Sequence, residues 1–261
     1  MPVQVKFGRR PAVQDDRVPF LRDLNAAKAL PVAPASANWY ADLGTLGMLG
    51  NDTVGDCVTA CFGHATQAFT AYAGDPQIPT TKQAIKLYSD ITGYVPGDES
   101  TDNGTVILGK GGAMEYWAIK GVTFGDATSK AAAYAQIRMG DDAEWIRQGI
   151  ALFGGVVLGL NLPENVVAKD EIPFVWNDPG GAIAGGHCVW LCGYETVADE
   201  LLFDLISWGA HYRMTLPFLR GTFEEAVAVF DDDFLNAKGV DPADATAAEL
   251  AIYMAALQVG G

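Results

Sequence analysis

The chain has 261 residues, and its 17 basic and 32 acidic side chains leave a formal charge of −15. Nucleic-acid affinity comes from clustered Lys and Arg, so this acidity argues against a nucleic-acid-binding protein and against binding to an anionic membrane surface. No apolar run reaches the roughly 18 residues that a membrane span needs, and the first residues lack the apolar core of a secretory signal. We therefore expect a globular protein made in the cytoplasm without a signal peptide, which binds neither nucleic acid nor membrane.

Three parts of the chain differ in their patterning. Residues 1–37 contain several prolines and little periodicity, which predicts an extended N-terminal arm that lies over the surface and makes few contacts. Residues 38–150 predict a helical lobe, because apolar positions recur at helical spacing. The predicted helices are Val58–Tyr72, Thr81–Thr92, Ala113–Lys120 and Asp142–Leu152.

The period changes after Gly155, so residues 151–235 predict a β lobe. Residues 236–261 form a tail with a helix at about Ala243–Leu257. The fold class is therefore α+β, with a helical lobe, an antiparallel β lobe, an extended N-terminal arm and a C-terminal helix. We expect the arm and that helix to contact protein partners or other copies of the chain. The predicted strands are Val156–Leu160, His187–Tyr194 and Leu201–Trp208.

Four cysteines occur as two local pairs, Cys57/Cys61 and Cys188/Cys192. A disulfide is disfavoured in a chain of this size that is not exported. The spacing also fits zinc ligands, but the apolar surroundings favour buried thiols in core elements. We predict no metal and no cofactor.

Cys57 follows the segment Asn51–Asp56 directly and stands at the start of the first strong helix. The positive end of a helix dipole and its free N–H groups favour a thiolate, and backbone donors there can face an oxyanion. Because Gly55 has no side chain, the loop before Cys57 can closely approach a bound acyl group. The alternatives are that Cys57 is only a small residue at a crowded helix start, and that Asp52 and Asp56 raise its pKa.

A histidine that could act as the base for this thiol begins an apolar strand far downstream. His187 follows two glycines, which leave the backbone open beside the ring. A single histidine of this kind is more often a structural residue, yet the other two fit less well. His64 lies about 10 Å along the helix from Cys57, and His211 lies in a predicted hairpin.

Together these segments resemble the papain-like cysteine peptidases over roughly residues 38–215. The resemblance implies that Cys57 is the nucleophile, His187 the base and Asn51 the oxyanion donor, with substrate bound near Gly55, Gly111, Gly112, Met114 and Trp208. It rests on five anchors in the family's order: Asn38-Trp39, Asn51 six positions before Cys57, Gly111-Gly112-Ala113-Met114, Gly186-His187-Cys188-Val189 with Cys192-Gly193-Tyr194, and Ile206-Ser207-Trp208-Gly209.

The sequence departs from the family pattern at two positions. Asn51 replaces a glutamine and is one methylene shorter, and Ile206 replaces the asparagine that orients the catalytic histidine. Asp204 lies two residues before Ile206 on the same side of a strand and is the predicted substitute. The motifs resemble a divergent group of papain-fold proteins from bacteriophage and bacterial genomes, which implies a phage or prophage source.

Two hypotheses about function follow. One is a cysteine hydrolase that acts on peptides or on the peptide stems of a cell wall. The other is a catalytically weak or inactive papain fold that serves as a structural or assembly component of a phage particle, and is virion-associated.

Overall fold

The computed structural model describes residues 5–23, 31–41, 43–140, 143–167 and 174–231. The predicted C-terminal helix at 243–257 lies outside these residues. Every other predicted helix is present, and its ends lie within two residues of the predicted ones. The helices are α1 (Cys57–Ala73), α2 (Thr81–Thr92), α3 (Ala113–Lys120), α4 (Glu144–Phe153), α5 (Glu164–Val167) and α6 (Leu216–Thr222), with a 3₁₀ turn at Glu99–Thr101.

An eight-stranded sheet dominates the second half of the described chain, which confirms the α+β prediction. The strands are β1 (Ala37–Asn38), β2 (Val122–Phe124), β3 (Ala127–Ser129), β4 (Ala131–Ile137), β5 (Val156–Pro163), β6 (Val175–Trp176), β7 (Ile183–Val197), β8 (Glu200–Ser207), β9 (Ala210–Thr215) and β10 (Phe223–Asp231). The order in the eight-stranded sheet is β4-β10-β5-β7-β8-β9-β6, with β1 paired to β7; all pairs are antiparallel except β6 with β9. Strands β2 and β3 form a separate hairpin.

Helix α1 is the central helix and packs against β7. It is buried from Cys57 to Thr70, as expected for a helix whose side chains are mostly small or apolar on all sides, and the buried polar side chains His64 and Gln67 bond to backbone carbonyls. It ends at Gly74, whose positive φ of 89° allows the N–H to return to the carbonyls of the last turn.

Strand β7 separates two hydrophobic cores, because its side chains alternate between the two faces of the sheet. Val189 and Leu191 belong to the core that also contains Trp176 and Phe218. Cys188, Trp190 and Cys192 belong to the core between the sheet and α1, together with Phe62 and Trp117. The start of α1 therefore lies against the face of β7 that carries Cys188 and Trp190, and Val189 lies on the other face.

The expectation that the N-terminal arm makes few contacts is wrong for residues 5–23. Arg9 and Leu21 are almost fully buried, and backbone bonds join Lys6 to Asn51 and Arg9 to Gly186. Residues 6–10 lie in the groove between the two lobes, whereas Phe20 pairs with Gln136 of β4 and Leu21 belongs to a core of the sheet, so both parts are internal to the fold. None of the helices in the described ranges is long and apolar enough to cross a membrane.

Candidate active site

Cys57 is the first residue of α1, and its side chain is buried. Burial raises the pKa of the thiol strongly, because a thiolate loses its hydration there. Hydrogen bonds from the backbone of Cys188 and Gly8 lower the pKa, but by less than burial raises it. Cys57 is therefore a protonated thiol in this conformation, despite its position at the positive end of the helix dipole. All four cysteines are free and buried, as the interpretation of core thiols predicts.

His187 lies in β7, opposite Leu160 of β5. Its Nε2 atom is 2.7 Å from Oγ of Ser207, and its ring stacks on Trp208 with centroids 4.7 Å apart. The ring of Phe7, from the N-terminal segment, lies perpendicular to the same ring, with centroids 6.1 Å apart. The other nitrogen, Nδ1, is buried and has no hydrogen-bond partner among the described residues. Nδ1 is thus the ring nitrogen left to take a proton from a nucleophile.

The two groups do not form an activated pair in this conformation. Burial and the nearby Arg9 charge lower the pKa of His187 to about 3, so the ring is neutral. Among the described residues, no hydrogen bond joins the Cys57 sulfur to either ring nitrogen. A thiolate–imidazolium pair requires that these two groups regain water or approach each other.

Asn51 donates a hydrogen bond from Nδ2 to a peptide carbonyl, as an oxyanion donor must be able to do. The carbonyl belongs to Lys6 and lies 2.9 Å away, while the Lys6 N–H donates to the Asn51 carbonyl at 2.8 Å. The N-terminal segment then passes directly over the loop before Cys57. A Cβ added to Gly8 would lie 1.7 Å from the Gly55 carbonyl oxygen, so only glycine fits there.

Asp204 lies away from His187. Its carboxylate accepts hydrogen bonds from His211 and Arg213, both at 3.0 Å. Ile206 is fully buried opposite Trp190 in the core beside α1. Side chains alternate between the two faces of a strand. Asp204 and Ile206 therefore lie on one face of β8, and Ser207 lies on the other face, beside His187.

Ser207 is therefore the side chain that hydrogen-bonds to His187, a role that no sequence motif indicated. The available signal was the alternation of side chains along β8, which separates Ser207 from its neighbour Ile206. Trp208 takes a positive φ of 46° and packs its ring on His187.

Among the described residues, no backbone hydrogen bond joins Gly111, Gly112 or Met114, the predicted substrate wall, to the N-terminal segment. Gly111 is in a turn with positive φ, Gly112 caps α3, and Met114 is fully buried in the core. The residue that pairs with the N-terminal segment on this side of the groove is Thr105. The sequence carried no signal for Thr105, because its role depends on a long-range backbone pairing.

Solved structures with a similar fold are cysteine proteases. Xylellain from Xylella fastidiosa has a TM-score of 0.61 at 14% identity, over 88% of this chain and 97% of that one. Procathepsin B S9 from Trypanosoma congolense has a TM-score of 0.62 at 10% identity, over 87% and 86%. Procathepsin L 3 from the larval midgut of Tenebrio molitor has a TM-score of 0.59 at 16% identity, over 87% and 76%.

No protein-family model and no curated protein sequence matches the chain. At these identities the likeness concerns the fold alone. It confirms the papain-like two-lobed fold that the five sequence anchors implied.

Proposed function

We propose that the protein is a papain-like cysteine hydrolase of peptide substrates, held inactive by its own N-terminal segment. The observation that carries this proposal is the way in which the groove binds that segment. The Arg9 N–H donates to the Gly186 carbonyl at 3.1 Å, directly before His187. On the opposite wall, the Thr105 N–H donates to Gly8 O at 2.7 Å and the Arg10 N–H donates to Thr105 O at 2.9 Å.

These bonds use only main-chain atoms of the segment, and they come from both lobes. A groove that pairs with an extended backbone on both sides, beside a cysteine and a histidine, has the recognition mode of a peptide-binding hydrolase. The Arg9 bridge to Thr105 is parallel, as in strand addition. The groove is therefore suited to a peptide in extended conformation.

Departure of the segment would supply the conditions for catalysis. Water would return to Cys57 and His187, and the Arg9 charge that opposes an imidazolium would leave. Cys57 would then transfer its proton to Nδ1 of His187 and form a thioester with the substrate carbonyl carbon. The leaving amine would take the proton from His187, and water would hydrolyse the thioester. The Asn51 amide supports the oxyanion role, since it already donates to a peptide carbonyl.

Two of the structures with a similar fold are procathepsins, which are named as precursors. This supports a latent state of the present chain. The source of the chain in a phage or prophage stays a prediction from its motifs.

The second candidate function is that of a structural or assembly component of a phage particle, in which the protein keeps the papain-like fold without turnover. The favouring observation is that Ile206 replaces the orienting asparagine and belongs wholly to the core. In that case the segment would remain in the groove permanently.

The variant Gly8→Ala tests the first candidate, because its Cβ would collide with the Gly55 carbonyl and displace the segment. Alkylation of the full chain by iodoacetamide, with mass-spectrometric mapping of all four cysteines, measures the result. We expect Cys57 to react at least ~10-fold faster in Gly8→Ala, and the gain to disappear when His187→Ala is added.

The matched control is Gly140→Ala, whose Cβ would make only ordinary contacts. It should label like the unmodified chain. Slow labelling of Cys57 in Gly8→Ala, unaffected by His187→Ala, would support the structural component instead.

A further inference from the structure

Three of the four cysteines lie together between α1 and β7. Cys57 and Cys61 are four residues apart on α1, so their side chains share one face of the helix. Cys188 lies on the face of β7 that packs against this helix, and all three residues belong to the same core. None of the three is more than 3% exposed. We call this group the thiol cluster.

Cys188 contacts both of the helix cysteines. Its backbone N–H donates a hydrogen bond to the sulfur of Cys57, and its thiol is hydrogen-bonded to the thiol of Cys61. Cys57 and Cys61 are separated by about 6 Å along the helix axis, so Cys188 is the residue that connects them. A disulfide forms between cysteines whose side chains point toward each other, which makes Cys188 the candidate partner of each helix thiol.

Cys192 lies further along the same face of β7 and has a different neighbour. Its thiol donates a hydrogen bond to the backbone carbonyl of Asp204, on β8, at 3.6 Å. It is fully buried, like the members of the thiol cluster. The chain therefore carries a buried cysteine in the same core that serves as an internal control for the cluster.

Oxidation of the thiol cluster has to begin at Cys57. Burial raises the pKa of both Cys57 and Cys188, and a protonated thiol reacts slowly with peroxides. The N-terminal segment covers Cys57 directly, because the Gly8 N–H donates to its sulfur, so departure of the segment exposes this thiol first. A peroxide then converts the Cys57 thiolate into a sulfenic acid, and a second oxidation gives a sulfinic acid that thiols do not reduce.

We propose that Cys188 is the resolving thiol that rescues oxidised Cys57, and that Cys61 takes over the resulting disulfide. The Cys188 thiol attacks the sulfenic sulfur of Cys57, an S–S bond forms, and the sulfenic oxygen leaves as water. The Cys61 thiol then attacks the Cys188 sulfur, and Cys57 leaves as a thiolate that takes up the proton from Cys61. In total, one hydrogen peroxide and two thiols give one disulfide and two waters, and Cys57 is restored. The proposal rests on the proposed function, because it requires a reactive Cys57 in the open groove.

Peroxide treatment of the full chain tests the resolving role. The Gly8→Ala chain is treated with hydrogen peroxide, the remaining thiols are alkylated, and peptides are mapped by mass spectrometry without reduction. We expect a disulfide between Cys61 and Cys188, with Cys57 still free to react. The unmodified chain, whose groove is occupied, should form this disulfide at least ~10-fold more slowly.

Single cysteine variants in the Gly8→Ala background separate the steps. Adding Cys188→Ala should increase the sulfinic acid found at Cys57 at least ~10-fold, and Cys188→Ser serves for the same measurement if the alanine variant does not fold. Adding Cys61→Ala should stop the exchange at a disulfide between Cys57 and Cys188, which dithiothreitol reverses. Cys192→Ala is the matched control and should behave like its parent. Equal sulfinic acid at Cys57 with and without Cys188, or no disulfide that contains Cys188, would overturn the proposal.

Peptide hydrolysis separates this proposal from the proposed function. The same Gly8→Ala chain is assayed with a mixture of unmodified peptides before and after peroxide treatment, and we expect the activity to survive treatment unless Cys188 is replaced. A disulfide that contains Cys188, in a chain that hydrolyses no peptide, would refute the hydrolase and leave the resolving role standing. Hydrolysis by a chain that peroxide inactivates equally with and without Cys188 would refute the resolving role and leave the hydrolase standing.

Discussion

The Nε2 atom of His187 lies 2.7 Å from the hydroxyl oxygen of Ser207. A hydroxyl group both donates and accepts, so it can bond to either tautomer of the ring. A side-chain carbonyl at this place could only accept and would therefore require a proton on Nε2. In this chain the hydrogen bond to Ser207 fixes the position of the His187 ring, but it selects one tautomer less strictly than a carbonyl would.

Loss of the Ser207 hydroxyl should impair the reactivity of Cys57. In the Gly8→Ala background, we expect Ser207→Ala to slow alkylation of Cys57 by between ~10-fold and 10⁴-fold, since removing an orienting partner of a catalytic histidine has effects up to that size. The measurement is the alkylation rate between pH 5 and 9. Ser207→Thr keeps the hydroxyl and should recover most of the rate and the same pH profile. A rate for Ser207→Ala equal to that of the parent would exclude a positioning role.

Restoring an asparagine at Ile206 should not restore a triad. Ile206 points into the core beside α1, on the face of β8 opposite to His187. Ile206→Asn would therefore bury an amide without partners, at a cost of about 2–4 kcal/mol of unfolding free energy. Urea denaturation measures this, with Ile206→Val as the apolar control at about 0.5–1.5 kcal/mol. Faster labelling of Cys57 in Ile206→Asn would contradict the assigned orientation.

Asp204 should matter for stability and leave the Cys57 site unaffected. Its buried carboxylate holds His211 and Arg213. We expect Asp204→Asn to cost about 1–3 kcal/mol, because it weakens a buried charge-assisted pair. The Cys57 labelling rate in the Gly8→Ala background should stay unchanged. The control is Glu195→Gln at the exposed end of the same cluster, where an effect below ~1 kcal/mol is expected. A large loss of Cys57 reactivity in Asp204→Asn would restore Asp204 to the active site.

His64 should make the protein less stable in acid. Burial lowers its pKa from 6.5 to about 4, so the folded state binds fewer protons than the unfolded state between these values. The stabilising contribution of the neutral ring is therefore complete above pH 6.5 and is lost as the pH falls toward 4. Between pH 7.5 and pH 5, we expect the unmodified chain to lose about 2 kcal/mol that His64→Gln does not lose.

Urea unfolding at both pH values gives the free energy of unfolding of the unmodified chain and of His64→Gln. The difference between the two chains is the quantity to compare. Burial raises the pKa of Glu225 to about 7, and this group stabilises the fold as the pH falls over the same range. Its contribution cancels in the comparison. Identical pH dependence of the two chains would show that His64 is not buried in the neutral form.

Local patterns were sufficient to predict helices α1 to α4, strands β5, β7 and β8, and the positions of Cys57 and His187, but they did not predict strands β4, β9 and β10. Helices α2 and α3 begin and end at the predicted residues, because apolar periodicity and the capping residues Thr80, Gly93 and Gly121 are properties of adjacent residues. Cys57 begins α1 and His187 lies in β7 for the same reason.

Only the tertiary structure decided what surrounds those two residues. The N-terminal segment lacks periodicity, and its place in the groove depends on backbone pairing with Thr105 and Gly186, which are distant in sequence. The choice of Ser207 over Ile206 or Asp204 follows from the register of β8 on β7, since a shift of one residue exchanges the faces of a strand. Arg9 is likewise buried where β5 and β10 place Gly159 opposite Glu225. A single sequence carries the local periodicity that forms each element, whereas the pairing between distant elements determines which side chains meet.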